Sequence, residues 1–274
     1  MLHGEMANYS QAFLPWGYKN ITVSYAHGKL DRQSFHMWPR GNCLLMAVPN
    51  VDGSFACTCV LPVEGEQSFA SLQTDGDIQT FFQDYFTDIV PLMPSLVQEF
   101  RRNPVGHFVT TSTSPWYFEN SIVLVGDSCH SFVPFYGQGM NASFEDCMML
   151  DHCLQEHAAQ RKKALEQYQC ERKRHTDAIA ELSIQNFLEI RAKVRSPMFI
   201  LQKKMDLLLN RLFPRSWVPL YTLIMHTTLP YADAIERVER QEYIRNYIQV
   251  FLALIVTTVS ATWIIATLNH IKRL

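Results

Sequence analysis

The sequence predicts an α/β fold with a β-rich beginning, a central strand–turn–helix unit and a long helical remainder. Three observations predict it. Tyr18 to Pro62 carries closely spaced strand-like runs separated by turn residues. Ile122-Val123-Leu124-Val125, short and wholly apolar, leads into Gly126-Asp127 and then into glycine-rich chain. From Arg161 onward the apolar residues recur at helical spacing, ending in a long uncharged run. At 274 residues the chain can bury one large core or two small ones.

In the first part, Ile21 to Tyr25, Phe35 to Trp38, Cys43 to Val48 and Phe55 to Leu61 read as strands. Turn residues at His27-Gly28, Arg40-Gly41-Asn42 and Asn50 to Ser54 punctuate them. The last two runs make a hairpin around Val51-Asp52-Gly53-Ser54. Strands this close suit an antiparallel sheet with one face free to cover a ligand. Asp77 can cap a helix whose Ile78, Phe81, Phe82, Tyr85 and Phe86 lie on one side.

The apolar run at 122–125 suits a strand buried on both faces. Asp127 then stands at the strand's carboxyl end, where α/β folds gather ligand groups and where a carboxylate can accept hydrogen bonds from sugar hydroxyls. Gly137 and Gly139 let the backbone approach a flat ligand. Ala142 to Leu154 has helical spacing at Phe144, Cys147, Met148 and Leu154. The amino end of that helix would present unpaired N–H groups to whatever lies over the turn.

Downstream, Arg161 to Arg174 reads as a charged helix leading into Thr176 to Val194, where Ile179, Leu182, Asn186 and Ile190 share a face. Pro197 closes it. Met198 to Phe213 is amphipathic, and Tyr231 to Arg245 runs into the uncharged stretch from Asn246 to Asn269. At about 1.5 Å per residue such a stretch spans the roughly 30 Å hydrocarbon core of a bilayer, so a carboxyl-terminal membrane anchor is expected. The net charge of −2 gives no electrostatic reason to expect nucleic acid. The seven cysteines contain no Cys-x-x-Cys pair, and Cys57-Thr58-Cys59 without further ligands makes a poor metal site. Glu145-Asp146 are read as favouring the helix dipole, and Arg172-Lys173-Arg174 as a solvated face.

The string from Gly126 to Cys147, GDSCHSFVPFYGQGMNASFEDC, closely resembles the second flavin motif of the aromatic-ring hydroxylases, the single-component FAD monooxygenases. Within them it is similar to the kynurenine 3-monooxygenase group. HMWPR at 36–40, Ala47-Val48-Pro49-Asn50, Asn186 to Arg191 and Pro219-Leu220-Tyr221-Thr222 carry the likeness through the chain. Tyr136 departs from the usual phenylalanine, and Ser128-Cys129 from a common Ala-Ala. The family's opening GxGxxG segment has no counterpart here.

The resemblance implies an FAD-dependent hydroxylase fold: the last part of a Rossmann-like FAD domain, an antiparallel substrate sheet, helices and the membrane tail. The corresponding divisions are residues 1–115 (sheet), 116–160 (FAD-domain part), 161–243 (helical cap) and 244–274 (anchor). It implies FAD and NADPH as cofactors, and O2-dependent conversion of L-kynurenine to 3-hydroxykynurenine. It also implies attachment to the cytosolic face of the mitochondrial outer membrane. Asp127, Pro134, Gly137, Gln138, Gly139, Met140 and Asn141 would hold FAD. Asn186 and Tyr221 would hold the substrate carboxylate, since an amide and a phenol are both suitable donors. Phe35, Met46, Val48, Val60, Phe135 and Tyr136 would form an apolar wall around the substrate ring. No residue is assigned a chemical step, because the flavin carries the chemistry. Other readings are a catalytically inactive membrane-tethered fragment or interaction protein, and a different FAD-dependent hydroxylase.

Overall fold

Cys43-Leu44-Leu45-Met46-Ala47 is apolar at every position because the sheet it belongs to is covered on both faces. The computed structural model describes residues 8–24, 30–192 and 196–271, the side chains of 192, 252, 253, 256 and 259–271 excepted. Strands β1 (Asn8–Val23), β2 (His36–Arg40), β3 (Cys43–Pro49), β4 (Phe55–Pro62) and β5 (Gly106–Ser114) form one antiparallel sheet, ordered β2-β3-β4-β1-β5. The expected strands are there among the described residues, and β1 starts well before the run that suggested it; Tyr25 and the turn at His27-Gly28 lie outside the described residues. The β3–β4 hairpin turns where the sequence placed it. Leu44 faces Val60, and Asp52 Oδ1 accepts from Ser54 N at 2.9 Å.

Strand period divides the sheet's residues between two cores. On one face, Ile21, Val23, Cys43, Leu45, Ala47, Cys57, Cys59 and Leu61 pack with α1 (Asp75–Tyr85) and α2 (Leu96–Arg102). Thr74 rather than Asp77 caps α1. Its hydroxyl accepts from Asp77 N at 3.1 Å while the Asp77 carboxylate accepts from Thr74 N at 2.7 Å, a reciprocal box. Ile78, Phe81 and Phe82 are buried as their spacing requires. On the other face, Leu44 and Val60 meet Phe108, Val133 and Phe187.

The expected doubly buried strand is reduced to β7 (Ile122–Val123), paired with β6 (Tyr117–Phe118) in a two-stranded sheet. Ile122 is 51% exposed. A strand is buried on both faces only when flanking strands and covering layers are present, and among the described residues β6 is its single partner. Helix α3 (Gly139–Glu156) turns Ala142, Asp146 and Cys153 inward. The stripe read as its apolar face points outward, with Phe144 at 61% and Met148 at 74% exposure. The two helices read from Arg161 onward are one, α4 (Arg161–Ala192). No proline or glycine interrupts it.

Contact density separates residues 1–200 from a second unit, 201–274. The latter holds most of α5 (Pro197–Leu212), then α6 (Leu220–His226) and α7 (Tyr231–Ile271). Pro197 opens α5, where its missing N–H costs nothing. Within this unit Arg245 Nη1 donates to Asp206 Oδ1 at 2.8 Å.

The expected transmembrane helix over 244–274 is corrected. Among the described residues, no helix is long and apolar enough to cross a membrane. The uncharged run is not an element of its own. It continues α7 from a first half carrying Asp233, Glu236, Arg237, Glu239, Arg240, Glu242 and Arg245. Residues 272–274 and the side chains of 259–271 lie outside the described residues. Placement at the mitochondrial outer membrane rested on that anchor and falls with it.

Candidate functional site

The segment from Val125 to Ala142 is built almost entirely from turns, and two glycines make them possible. Gly126 has φ +62° and Gly137 has φ +66°, a region that side chains with a Cβ enter only at a cost. Ser128 folds back on the strand end: its hydroxyl accepts from Val125 N at 3.0 Å and donates to Val125 O at 2.7 Å. Asp127 lies between them, exposed, and its carboxylate makes no hydrogen bond among the described residues. Pro134 to Tyr136 form a single 3-10 turn, closed by Gly137 N donating to Pro134 O at 3.0 Å.

Gly139 then opens α3. Gln138 is 3% exposed and accepts from Asn141 Nδ2 at 3.0 Å and, through its carbonyl, from Ala142 N at 2.8 Å. No side chain from the N-cap position caps the first turn, which also lacks acidic residues. A Cβ added at Gly137 or Gly139 would meet nothing within 4 Å. Pro134, Gly137, Met140 and Asn141 are exposed around that open space. This is a surface where uncapped N–H groups and bare backbone meet open space, next to a free carboxylate. Such donors fit the flat, acceptor-rich edge of a flavin, and Asp127 fits its hydroxyl-bearing chain.

Behind the turn sits a buried ionic network that the sequence reading missed. Asp146 has no exposure; its Oδ2 accepts from Gly126 N at 3.0 Å and lies 2.5 Å from His130 Nε2. Its Oδ1 accepts from Arg172 Nε at 2.7 Å. Arg172 is 4% exposed and also donates to Glu145 Oε2 at 2.7 Å and Ala142 O at 3.2 Å. Burial pushes the Asp146 pKa upward, but the His130 and Arg172 contacts outweigh it and hold the carboxyl below its ordinary value. Asp146 is therefore not a dipole-pairing surface residue, nor Arg172 part of a solvated run.

Cys129, His130 and Asp146 place ligand atoms within 4.8 Å of one another. Both carboxylate oxygens are already engaged, and burial pushes the Cys129 thiol up to about 12, so the cluster is an ion-pair network rather than a metal centre. His130 shapes the turn, and its ring lies 5.3 Å from that of Trp116.

Of the residues expected to wall the substrate ring, the fold gathers Met46, Val60 and Phe135 into one core with Leu44, Phe108 and Phe187. Phe135 stacks on Phe187 at 4.3 Å between centroids. Tyr136 is 8% exposed. Phe35, 51% exposed, and Val48, 49% exposed, lie outside that core. Asn186, on α4, donates from Nδ2 to Phe135 O at 2.9 Å. Tyr221 lies in the second unit, 57% exposed, its ring edge-on to His226 at 6.4 Å.

The sequence family described as FAD binding domain matches residues 87–183. Curated relatives named kynurenine 3-monooxygenase include one from Salinispora arenicola, 47% identical over 89% of this chain and 54% of its own length. Another from Salinispora tropica is 46% identical over 96% of this chain and 58% of its own. One from Dictyostelium discoideum is 39% identical over 85% of this chain and 54% of its own. The chain thus spans little more than half the length of these relatives. Solved structures share the fold at low identity. The tetrameric form of 2-methyl-3-hydroxypyridine-5-carboxylic acid oxygenase superposes with a TM-score of 0.53 and 17% identity, covering 69% of this chain and 52% of that one. An HpxO variant from Klebsiella pneumoniae complexed with FAD gives 0.52 and 15%, covering 73% and 51%. The resemblance drawn from the residues stands: over most of its own length, this chain is related to proteins named kynurenine 3-monooxygenase.

Proposed function

We propose that the chain serves the FAD- and NADPH-dependent hydroxylation of L-kynurenine by O2, giving 3-hydroxykynurenine. The observation that carries the reading is the turn at 126–142. It joins a free Asp127 carboxylate, open space beside Gly137 and Gly139 and an uncapped helix end, in a sequence 46% identical to a protein of that name. When bound, FAD reduced by NADPH supplies the oxygen-activating chemistry. The chain's own residues bind, orient and exclude water.

Asp127 accepts hydrogen bonds from hydroxyls of the cofactor. The backbone from Pro134 through Gly137, Gln138, Gly139, Met140 and Asn141 would hold the rest of the cofactor. Met46, Val60, Phe135 and Tyr136 would exclude water from the substrate ring, with the more exposed Phe35 and Val48 lining its outer side. Asn186 donates to the amino-acid carboxylate.

Asn186→Ala, made in the protein supplied with a dinucleotide-binding segment, tests the substrate assignment. Losing one donor to a carboxylate in a water-poor pocket costs roughly 1.5–3 kcal/mol, or about ten- to a hundredfold in KM. Wild-type constants for the variant would remove Asn186 from the substrate site.

A further inference from the structure

Two consecutive residues of α4 grip one residue of the glycine turn. Asn186 Nδ2 donates to the Phe135 carbonyl at 2.9 Å, across 51 residues of chain. Phe187, with no exposure, stacks on the Phe135 ring at 4.3 Å and 19°, and meets Trp16 edge-on at 5.4 Å. Phe135 is the middle residue of the 3-10 turn that Gly137 closes, so backbone and ring of the turn are both fixed from the helix. The rest of the Asn186 amide, one N–H and Oδ1, makes no hydrogen bond among the described residues. Asn186 is only half-buried, so those atoms can be reached by a ligand.

We propose that Asn186 is a positioning residue as well as a ligand donor. One amide hydrogen holds the Phe135 carbonyl and with it the turn that leads into Gly137; the other is presented to a carboxylate. A single side chain then links occupancy of the carboxylate site to the geometry of the cofactor turn. The ligand half rests on the kynurenine reading; the turn half does not. The link has a direct physical cause. An amide is planar and rigid, so orienting one N–H toward a ligand fixes the direction of the other.

The test is amide hydrogen exchange in this chain, read over residues 135–140, for wild type, Asn186→Leu and Asn186→Gln. Leucine keeps the volume and removes the donor; glutamine keeps the donor. Exchange over the turn should speed up roughly five- to tenfold in N186L, the effect of losing one neutral hydrogen bond, and return toward wild type in N186Q. Exchange in β3 and β4 should stay unchanged, which separates local loosening from unfolding. Should N186L unfold, Asn186→Asp, similar in shape but without the donor, takes its place. L-kynurenine should slow exchange over the turn in wild type and not in N186L. If kynurenine protects neither protein while N186L still loosens the turn, the substrate reading fails and the positioning role stands. N186L exchanging like wild type, or N186L and N186Q loosening the turn alike, would overturn the proposal.

Discussion

Replacing Arg172 by methionine should unfold this protein more readily than any surface-charge substitution, because the arginine neutralises a carboxylate with no exposure. Arg172 makes two charge-assisted bonds of 2.7 Å, to Asp146 and Glu145, and a third contact to Ala142 O. Methionine restores most of the packing but leaves Asp146 with only His130 and Gly126 N. Breaking one partner of a buried pair costs about 3–5 kcal/mol, a large share of the roughly 5–15 kcal/mol that holds a domain together. With a urea slope of about 2–3 kcal/mol/M, the unfolding midpoint should fall by roughly 1–2.5 M. Tryptophan fluorescence is a suitable probe, since Trp116 lies 5.3 Å from His130 inside the same cluster. The double variant Arg172→Met with Asp146→Asn removes the stranded charge and should recover part of the loss. A fall of less than about 1 kcal/mol in the single variant, or a double variant no better than the single, would refute this account of the network.

Other outcomes follow from the same geometry. Both Gly126→Ala and Gly137→Ala should destabilise through their left-handed backbone, by about 1–2 kcal/mol. Gly126→Ala should cost more in thermal unfolding, because its Cβ would sit 2.8 Å from Ser143 Oγ while that of Gly137 meets nothing. Asp127→Ala should weaken FAD retention by roughly ten- to a hundredfold in fluorescence titration, with stability unchanged, since the carboxylate is exposed and makes no internal bond. The Asp146 carboxyl is held below its ordinary pKa once folded, so the stability it contributes is present above about pH 4 and lost as pH falls further. Urea midpoints of wild type should therefore drop in acid more steeply than those of Asp146→Asn.

The sheet and its hairpin were legible because strand-like runs and turn residues alternate clearly between Tyr18 and Pro62. The turn at 126–142 was legible because glycines and Asp127 are local features. What escaped was tertiary. Phe144 and Met148 satisfy helical spacing, but spacing alone does not say which face turns inward, and Ala142, Asp146 and Cys153 won it. Arg172 was hidden in a charged run. Yet Tyr168, Thr176, Ile179, Ser183 and Phe187 are buried at intervals of three and four that pass through position 172. Reading that stripe across the charges, rather than splitting the helix at Arg174, would have placed Arg172 inside. The long uncharged run was read by length alone, and α7 shows it as the continuation of a charged helix.

The most direct test of the proposed function uses this chain completed with the part of the Salinispora tropica relative that it does not match. The fusion is given FAD, NADPH and L-kynurenine under heavy-isotope dioxygen, and products are read by mass spectrometry. The account predicts 3-hydroxykynurenine carrying one heavy oxygen atom, with NADPH consumed in step. Folded, flavin-loaded protein that consumes NADPH and releases only hydrogen peroxide, leaving kynurenine unchanged, would contradict it.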